Sequence, residues 1–252
     1  MVLDKFRLDG KFAAVTGGTK GIGKAIAVAL AEAGADIAIV SLTPHPDIEK
    51  SILNLGRRYI HHSADFTKRE QTKNVIPAIV QKMGSLDILV NNAGIIRRSP
   101  AVEHAEEDWD DTIESDLTAA FILSQAAGRV MLKKGKGKII NIASVLAFQG
   151  GLNVTAYASA KHGIVGLTRA LANDWASKGV NVNALAPSFF VTRLTEAIRK
   201  DPERSKSITA RTPAGRWGTP EDIAGAAVFL ASPASDFIHG AILPVDGGWL
   251  AW

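Results

Sequence analysis

The chain has 252 residues, of which 46% are apolar and 21% charged, and its formal net charge is +4. That balance excludes a disordered chain and is enough to bury a full core. There is no cysteine, which removes disulfides, thiolate nucleophiles and cysteine-ligated metal clusters, and no apolar run reaches the roughly 18 residues of a membrane span.

In chain order, the apolar run 11–16 ends in glycines and predicts a buried strand. Ile22, Ile26, Ala29, Leu30 and Ala33 recur at helical spacing until Gly34 stops them. A second buried strand follows at 37–40, a helix near 46–55, a strand at 58–61 and a helix at 68–82. The alternation continues with a strand at 86–90, a long helix at 106–132, a strand at 138–143 and a helix at 155–177. Last come a strand at 180–185, helical segments at 192–200 and 220–231, and a strand near 241–245. Seven apolar strands separated by helices predict an α/β fold: one doubly wound Rossmann-type domain over 1–252, its mostly parallel sheet covered by helices on both faces. The stretch 187–219 has no clear strand, is rich in Ser, Thr, Arg and Pro, and reads as a mobile substrate lid.

The six histidines lie at 45, 61, 62, 104, 162 and 239, none at the i, i+4 spacing of a helical metal site, so no metal is expected. The densest basic run, Lys133 to Lys138, reads as a solvated turn and not as a nucleic-acid surface, and no membrane partner is expected. MVLDKFRLDG at the start mixes acids and bases and lacks the apolar run of a signal peptide, so a cytoplasmic location is the expectation.

Thr16-Gly17-Gly18-Thr19-Lys20-Gly21-Ile22-Gly23 joins the first strand to the first helix. Glycines there let the backbone turn sharply and approach a pyrophosphate, while the helix N-terminus faces the anion. Gly17, Thr19, Lys20, Gly21, Ile22 and Gly23 are therefore candidate cofactor contacts. The second strand ends at Ser41 without the carboxylate that grips an adenine ribose, and Lys20 sits inside the loop. An absent acid and a nearby ammonium favour a 2′-phosphate, so NADP(H) is preferred over NAD(H).

The strand 138–143 runs into Ser144; thirteen positions on come Tyr157 and then Lys161, which at i, i+4 share a helix face. Reducing a ketone needs a hydride on carbon and a proton on oxygen. A tyrosine can give that proton, but an unperturbed phenol near 10 is too weak an acid for reversible use at neutral pH. Bringing it near 7 takes roughly 4 kcal/mol of preferential phenolate stabilisation, within reach of the Lys161 cation and an oxidised nicotinamide in a partly dry site. Ser144 is placed to hydrogen-bond the carbonyl oxygen as charge grows there. Arg97 or Arg98 at the same sheet edge offers a fork for a carboxylate, unless both pair with surface acids, and Gln149 and Asn153 offer partners for hydroxyls.

With TGGTKGIG at 16–23, NNAG at 91–94, Ser144, YASAK at 157–161 and the run from Pro187 to Thr192, the chain resembles the short-chain dehydrogenase/reductase family over essentially its whole length. The resemblance implies that Asp65 contacts the adenine, that Asn91, Ala93 and Gly94 line the cofactor, and that Thr192 and the backbone after Pro187 hold the nicotinamide carboxamide. It implies a homotetramer of D2 symmetry built on the helices 106–132 and 155–177. Two residues depart from the pattern: Asp116 stands where the family has an asparagine that supports the lysine through water, and Ser188 where it has glycine. Asp116 either strengthens Lys161 protonation or ties it up. Within the family, LGRRYI at 55–60, NNAGIIRR at 91–98, DWDD at 108–111, FQGG at 148–151, PAGRWG at 213–218 and DGGWL at 246–250 resemble the sugar-acid dehydrogenases acting at carbon 5 of gluconates and their 2-dehydro-3-deoxy forms. Members of that group commonly use NAD, which opposes the charge argument from Lys20 and Ser41. A 3-oxoacyl carrier-protein reductase, another ketone reductase, and a cofactor-sensing protein with its relay disabled by Asp116 are the alternatives. Trp249 and Trp252 are expected to pack on their own domain or on a neighbouring subunit.

Overall fold

The computed structural model describes all 252 residues. Its strands are β1 (Phe12–Thr16), β2 (Asp36–Ser41), β3 (Tyr59–Ser63), β4 (Ile88–Asn91), β5 (Gly137–Ile142), β6 (Val180–Pro187) and β7 (Ile242–Val245). They form one parallel sheet in the order β3-β2-β1-β4-β5-β6-β7. The helices are α1 (Gly21–Glu32), α2 (Pro46–Asn54), α3 (Arg69–Met83), α4 (Glu106–Ile113), α5 (Ala119–Lys134), α6 (Thr155–Trp175), α7 (Glu196–Arg199), α8 (Pro202–Arg211) and α9 (Ala224–Ala231).

The strands read as continuous apolar runs because both faces of the sheet are covered. Ala13, Val15, Ile37, Ile39, Ile88 and Val90 pack with residues of α1, α2 and α9. Their neighbours Ala14, Ala38, Val40 and Leu89 pack on the other face with α3, α5 and α6. This is the two-residue alternation of a strand expressed as two separate cores. Between β1 and β4 the strand order reverses direction, and a crevice opens at their carboxyl ends, where doubly wound sheets place ligands.

The long helix expected over 106–132 is interrupted. Glu114–Thr118 forms a π-helical turn between α4 and α5, and it carries Ser115 and Asp116 into the interior. Such turns insert a residue without ending the helix and re-aim the side chains they hold. The region 192–200 resolves into a short 3₁₀ turn, Arg193–Thr195, followed by α7. α8 lies inside the stretch read from the sequence as lid. Its start signals are Asp201, whose side chain accepts the Arg204 N–H at 3.1 Å, and Pro202 at the first helical position.

A buried polar ladder crosses the sheet beside the crevice. Asn91 Nδ2 donates to Asn141 Oδ1 at 2.8 Å and to Ser124 Oγ at 3.0 Å, and Asn141 Nδ2 donates to Thr168 Oγ1 at 2.9 Å. Apolar packing alone would leave β4, β5, α5 and α6 free to slide; the ladder fixes their register, because slippage would leave buried donors unpaired.

Candidate active site

The crevice starts at the junction of β1 and β4. Thr16 Oγ1 accepts the N–H groups of Asn92 and Ala93, each at 2.9 Å, and Asn92 Nδ2 donates to the Thr16 carbonyl at 2.8 Å. The chain then turns at Gly17 with φ +64°, and a Cβ on Gly23 would lie 2.4 Å from both the Gly17 carbonyl oxygen and Asn92 Nδ2. Only glycine tolerates these two positions. α1 begins at Gly21 with no side-chain cap from Lys20, so its first-turn N–H groups stay available at the crevice. A bare helix N-terminus behind a glycine turn suits a pyrophosphate, so these residues fit a dinucleotide.

Ser144 follows β5 and opens a 3₁₀ turn, its Oγ accepting the Leu146 N–H at 3.1 Å. Tyr157 and Lys161 project from one face of α6, with Lys161 Nζ 5.3 Å from the centre of the Tyr157 ring. Lys161 is buried. Its Nζ donates to the Ile142 carbonyl at 3.0 Å and stands 3.3 Å from Asp116 Oδ2. The other Asp116 oxygen accepts the Ile95 N–H at 2.8 Å. The π-turn is what brings Asp116 to this point, and its side chain is fully covered.

Four charges and dipoles now act on one phenol. Burial pushes the Tyr157 hydroxyl above its ordinary range; Lys161 pulls it down, Asp116 pushes it up, and Ser144 and Arg98 pull it down, the balance remaining upward. The sequence argument anticipated the pull of Lys161, but burial and the Asp116 carboxylate outweigh it in the protein alone. Burial opposes the Lys161 cation, yet Asp116 and Tyr157 together raise its pKa. Burial also raises Asp116, with Lys161 and the Ile95 N–H pulling it back. The two directions are compatible with an ionised pair, which the ammonium and the N–H donor on the carboxylate both favour.

A cavity of about 720 Å³ joins the two halves of the site. Of the residues expected at the cofactor, it brings together Gly17, Lys20, Gly21, Ile22, Gly23, Ala93, Gly94, Pro187 and Thr192 with Tyr157 and Lys161. Thr19, Ser41 and Asp65 lie outside its wall. Ser41 Oγ donates to the Thr43 carbonyl at 2.8 Å and meets His61 Nε2 at 2.9 Å. Asp65 Oδ1 accepts from the Thr67 N–H and hydroxyl. Asn91, expected to line the cofactor, belongs to the buried ladder instead, and its neighbour Asn92 takes the place at the wall.

Among the expected substrate contacts, Ser144, Tyr157, Arg98 and Gln149 line the cavity. Arg97 does not: it points away and pairs with Asp108 at 3.2 Å. Asn153 is also displaced. Its role is conformational, at φ +60°, where its carbonyl accepts the Ser99 N–H. The sequence reading missed Arg204 and Arg211 on α8, whose spacing of seven residues places them on one helix face. Trp249 closes the wall from its own chain: it is buried, with the Arg211 guanidinium 3.9 Å from its ring centre and the Phe189 ring at 4.9 Å, while Trp252 is exposed.

Replacing Asp116 by Asn removes the negative charge that opposes the phenolate. The ionisation of Tyr157 then moves to lower pH, and so does the rise of kcat/KM with pH in alcohol oxidation. A pH–rate profile checks this; an unmoved or raised midpoint contradicts it.

Comparison with known proteins identifies the family. The family model described as enoyl-(acyl carrier protein) reductase matches residues 17–250. The 2-dehydro-3-deoxy-D-gluconate 5-dehydrogenase of Dickeya dadantii is 46% identical over 252 residues, covering 100% of each chain. A gluconate 5-dehydrogenase from Burkholderia cenocepacia, solved in complex with NADP and tartrate, superposes with a TM-score of 0.94 at 39% identity and 100% coverage of both chains. A short-chain type dehydrogenase/reductase from Mycobacterium marinum superposes at 0.92 with 32% identity and 99% coverage of each. The chain belongs to the short-chain dehydrogenase/reductase family.

Proposed function

We propose that this protein interconverts a ketone and a secondary alcohol on a sugar acid of the 2-dehydro-3-deoxygluconate or gluconate type, using NADP(H) in preference to NAD(H). The observation that carries the chemistry is the Tyr157–Lys161 pair, one helical turn apart, facing the same cavity as Ser144 and the glycine loop. The bound nicotinamide supplies the site that gives or takes a hydride. In reduction, Tyr157 Oη delivers the proton that the carbonyl oxygen needs; in oxidation, its phenolate takes the proton from the hydroxyl. Ser144 Oγ donates a hydrogen bond to that oxygen as negative charge builds on it. Lys161, held by the Ile142 carbonyl and Asp116, keeps a positive charge beside the phenol through both directions. The segment 187–219, with α7 and α8, acts as the lid that excludes water, and the whole of 1–252 works as one domain.

The sugar-acid reading draws on the curated relative from Dickeya dadantii and on the cationic wall of the cavity, where Arg98 stands. The matched family model is described for a carrier-protein reductase, and the wall does carry apolar side chains such as Leu152, Leu194 and Ile198; Arg98, Arg204 and Arg211 on the same wall favour an anionic substrate over an acyl chain. A cofactor sensor with a disabled relay is disfavoured, because Lys161 keeps both its carbonyl contact and its approach to Tyr157 beside Asp116. The NADP(H) preference rests on Lys20 and on a β2 end without a carboxylate, since the Ser41 hydroxyl is already engaged. The relative from Burkholderia cenocepacia was solved with NADP.

The molecule also presents apolar side chains that suit subunit contacts. Trp109 on α4 and Phe121 on α5 are exposed, as are Phe148 and Trp252. A homotetramer of D2 symmetry would cover them through the long α4–α5 rod and α6.

The Tyr157→Phe variant is expected to lose turnover by about 10²–10⁴-fold while binding NADPH as the parent does, and the parent to bind NADPH more tightly than NADH. Retained turnover overturns the chemistry; tighter NADH binding overturns the cofactor choice. Light scattering at micromolar concentration should give four times the 26.7 kDa chain mass, and a monomeric value excludes the tetramer.

A further inference from the structure

A histidine stands behind the strand end at which the two forms of a nicotinamide dinucleotide differ. The helix N-terminus at α1 and the cavity at Tyr157 fix the direction of a bound dinucleotide, so its adenosine extends the other way, over the end of β2. That end is joined to the glycine turn: Thr16 lies opposite Val40, and the Gly17 N–H donates to the Val40 carbonyl at 2.7 Å. The turn that follows, 41–43, is held from β3. Ser63 Oγ donates to the Leu42 carbonyl at 2.8 Å, and His61 Nε2 meets Ser41 Oγ at 2.9 Å.

These contacts place the protons of the imidazole. Ser41 Oγ spends its only hydrogen on the Thr43 carbonyl at 2.8 Å, so toward His61 it accepts, and Nε2 carries the ring hydrogen. A second proton goes to Nδ1 and leaves both bonds in place. Protonation of His61 therefore adds charge behind the turn without breaking it. His61 lies opposite Ile39 in the register, on the sheet face that Ser41 and α2 share. The charged groups that face it are Glu49 from α2 and Lys82 from the last turn of α3, with His62 beside it on β3. Burial lowers the His61 pKa, the Ser41 contact raises it, Lys82 lowers it and Glu49 raises it, the balance remaining downward. His45, just before α2, stands 3.7 Å from Asp47. Asp47 and Glu49 in the first turn of α2 offset part of the pull that Lys20 exerts on an anion here, and an ionised His61 restores it.

We infer that His61 is a cofactor-specificity residue: through its contact with Ser41 it sets a protonatable ring behind the adenosine end of the site, and its protonated form favours a dinucleotide with a 2′-phosphate over one with a free 2′-hydroxyl. This rests on the dinucleotide reading of the site and adds what modulates the choice between NADP(H) and NAD(H). Ser41 keeps its bond to Thr43, so His61 acts by charge across the turn and is a positioning residue with no direct bond to the cofactor. The effect is reciprocal: if the charged ring favours the 2′-phosphate, the bound 2′-phosphate favours the charged ring.

The test uses the full chain at low ionic strength, where such a charge is least screened. Calorimetry gives Kd for NADP⁺ and NAD⁺ at about pH 8 and about pH 6, on either side of an ordinary imidazole. The 2′-phosphate also takes up a proton near pH 6, and a variant at position 61 shares that effect, so the comparison between parent and variant isolates the ring. On acidification the preference for NADP⁺ over NAD⁺ should rise about threefold or more in the parent relative to His61→Gln, whose amide can still donate to Ser41. His62→Gln, on the opposite sheet face, and His45→Gln should follow the parent. Imidazole proton resonances, assigned by their loss in His61→Gln, should show His61 titrating at higher pH with NADP⁺ bound than with NAD⁺. Coincident His61 titrations with the two cofactors overturn the inference. So does a ratio that changes with pH equally in the parent and His61→Gln, or one that is flattened by His45→Gln instead. A protein that binds NAD⁺ more tightly at every pH defeats the NADP(H) preference, while the dependence of the ratio on His61 still decides this inference.

Discussion

Everything in the site turns on one buried ammonium. Lys161 has lost its water and receives in exchange the Ile142 carbonyl, the Asp116 carboxylate and the face of Tyr157. A buried cation without such partners would neutralise. With them its pKa is raised, which favours a positive charge beside the phenol. The same carboxylate that keeps Lys161 charged opposes ionisation of Tyr157. The ionisation of the phenol is therefore set by its burial together with these two opposed, fixed neighbours.

The scaffold supplies these partners from separate places. β5 ends in the Ile142 carbonyl and runs on to Ser144, α6 carries Tyr157 and Lys161 one turn apart, and the π-turn between α4 and α5 delivers Asp116. Gly94 faces Asp116 so closely that a Cβ there would lie 2.6 Å from Oδ2. The buried ladder of Asn91, Asn141 and Thr168 holds the same strands and helices in register just beneath. Above, α8 and Trp249 close the cavity with arginine side chains. Polar order below and unpaired positive charge above leave a space shaped for an anionic, hydrogen-bonding substrate next to a hydride site.

Much of this was legible in the sequence because it depends on short-range periodicity. The central strands appear as apolar runs, since β1, β2, β4, β5 and β6 each contribute to both cores, and Tyr157 with Lys161 follows from the helical repeat. Gly17 and Gly23 are legible for a similar reason: the loop between β1 and α1 admits no side chain there. What stayed hidden depends on tertiary placement. Asn91 and Asn92 are adjacent and chemically identical, and only the pleat of β4 decides which enters the ladder and which meets Thr16. Arg97 and Arg98 likewise diverge, one to Asp108 and one to the cavity. The π-turn has no strong sequence signal, because its residues suit an α-helix. α8 did have one, in Asp201, Pro202 and the 204-207-208-211 stripe, but the surrounding Ser, Thr and Arg masked it as loop.

The most direct measurement follows from the presence of only two tyrosines in the chain, Tyr59 and Tyr157. In a Tyr59→Phe background, phenolate absorbance near the red edge of the tyrosine band reports Tyr157 alone. Titrating this protein and its Lys161→Met partner, each with NADP⁺ bound, should show Tyr157 ionising at distinctly lower pH when the lysine is present. Coincident titration curves would mean that the ammonium does not act on the phenol, and would contradict the account at its centre.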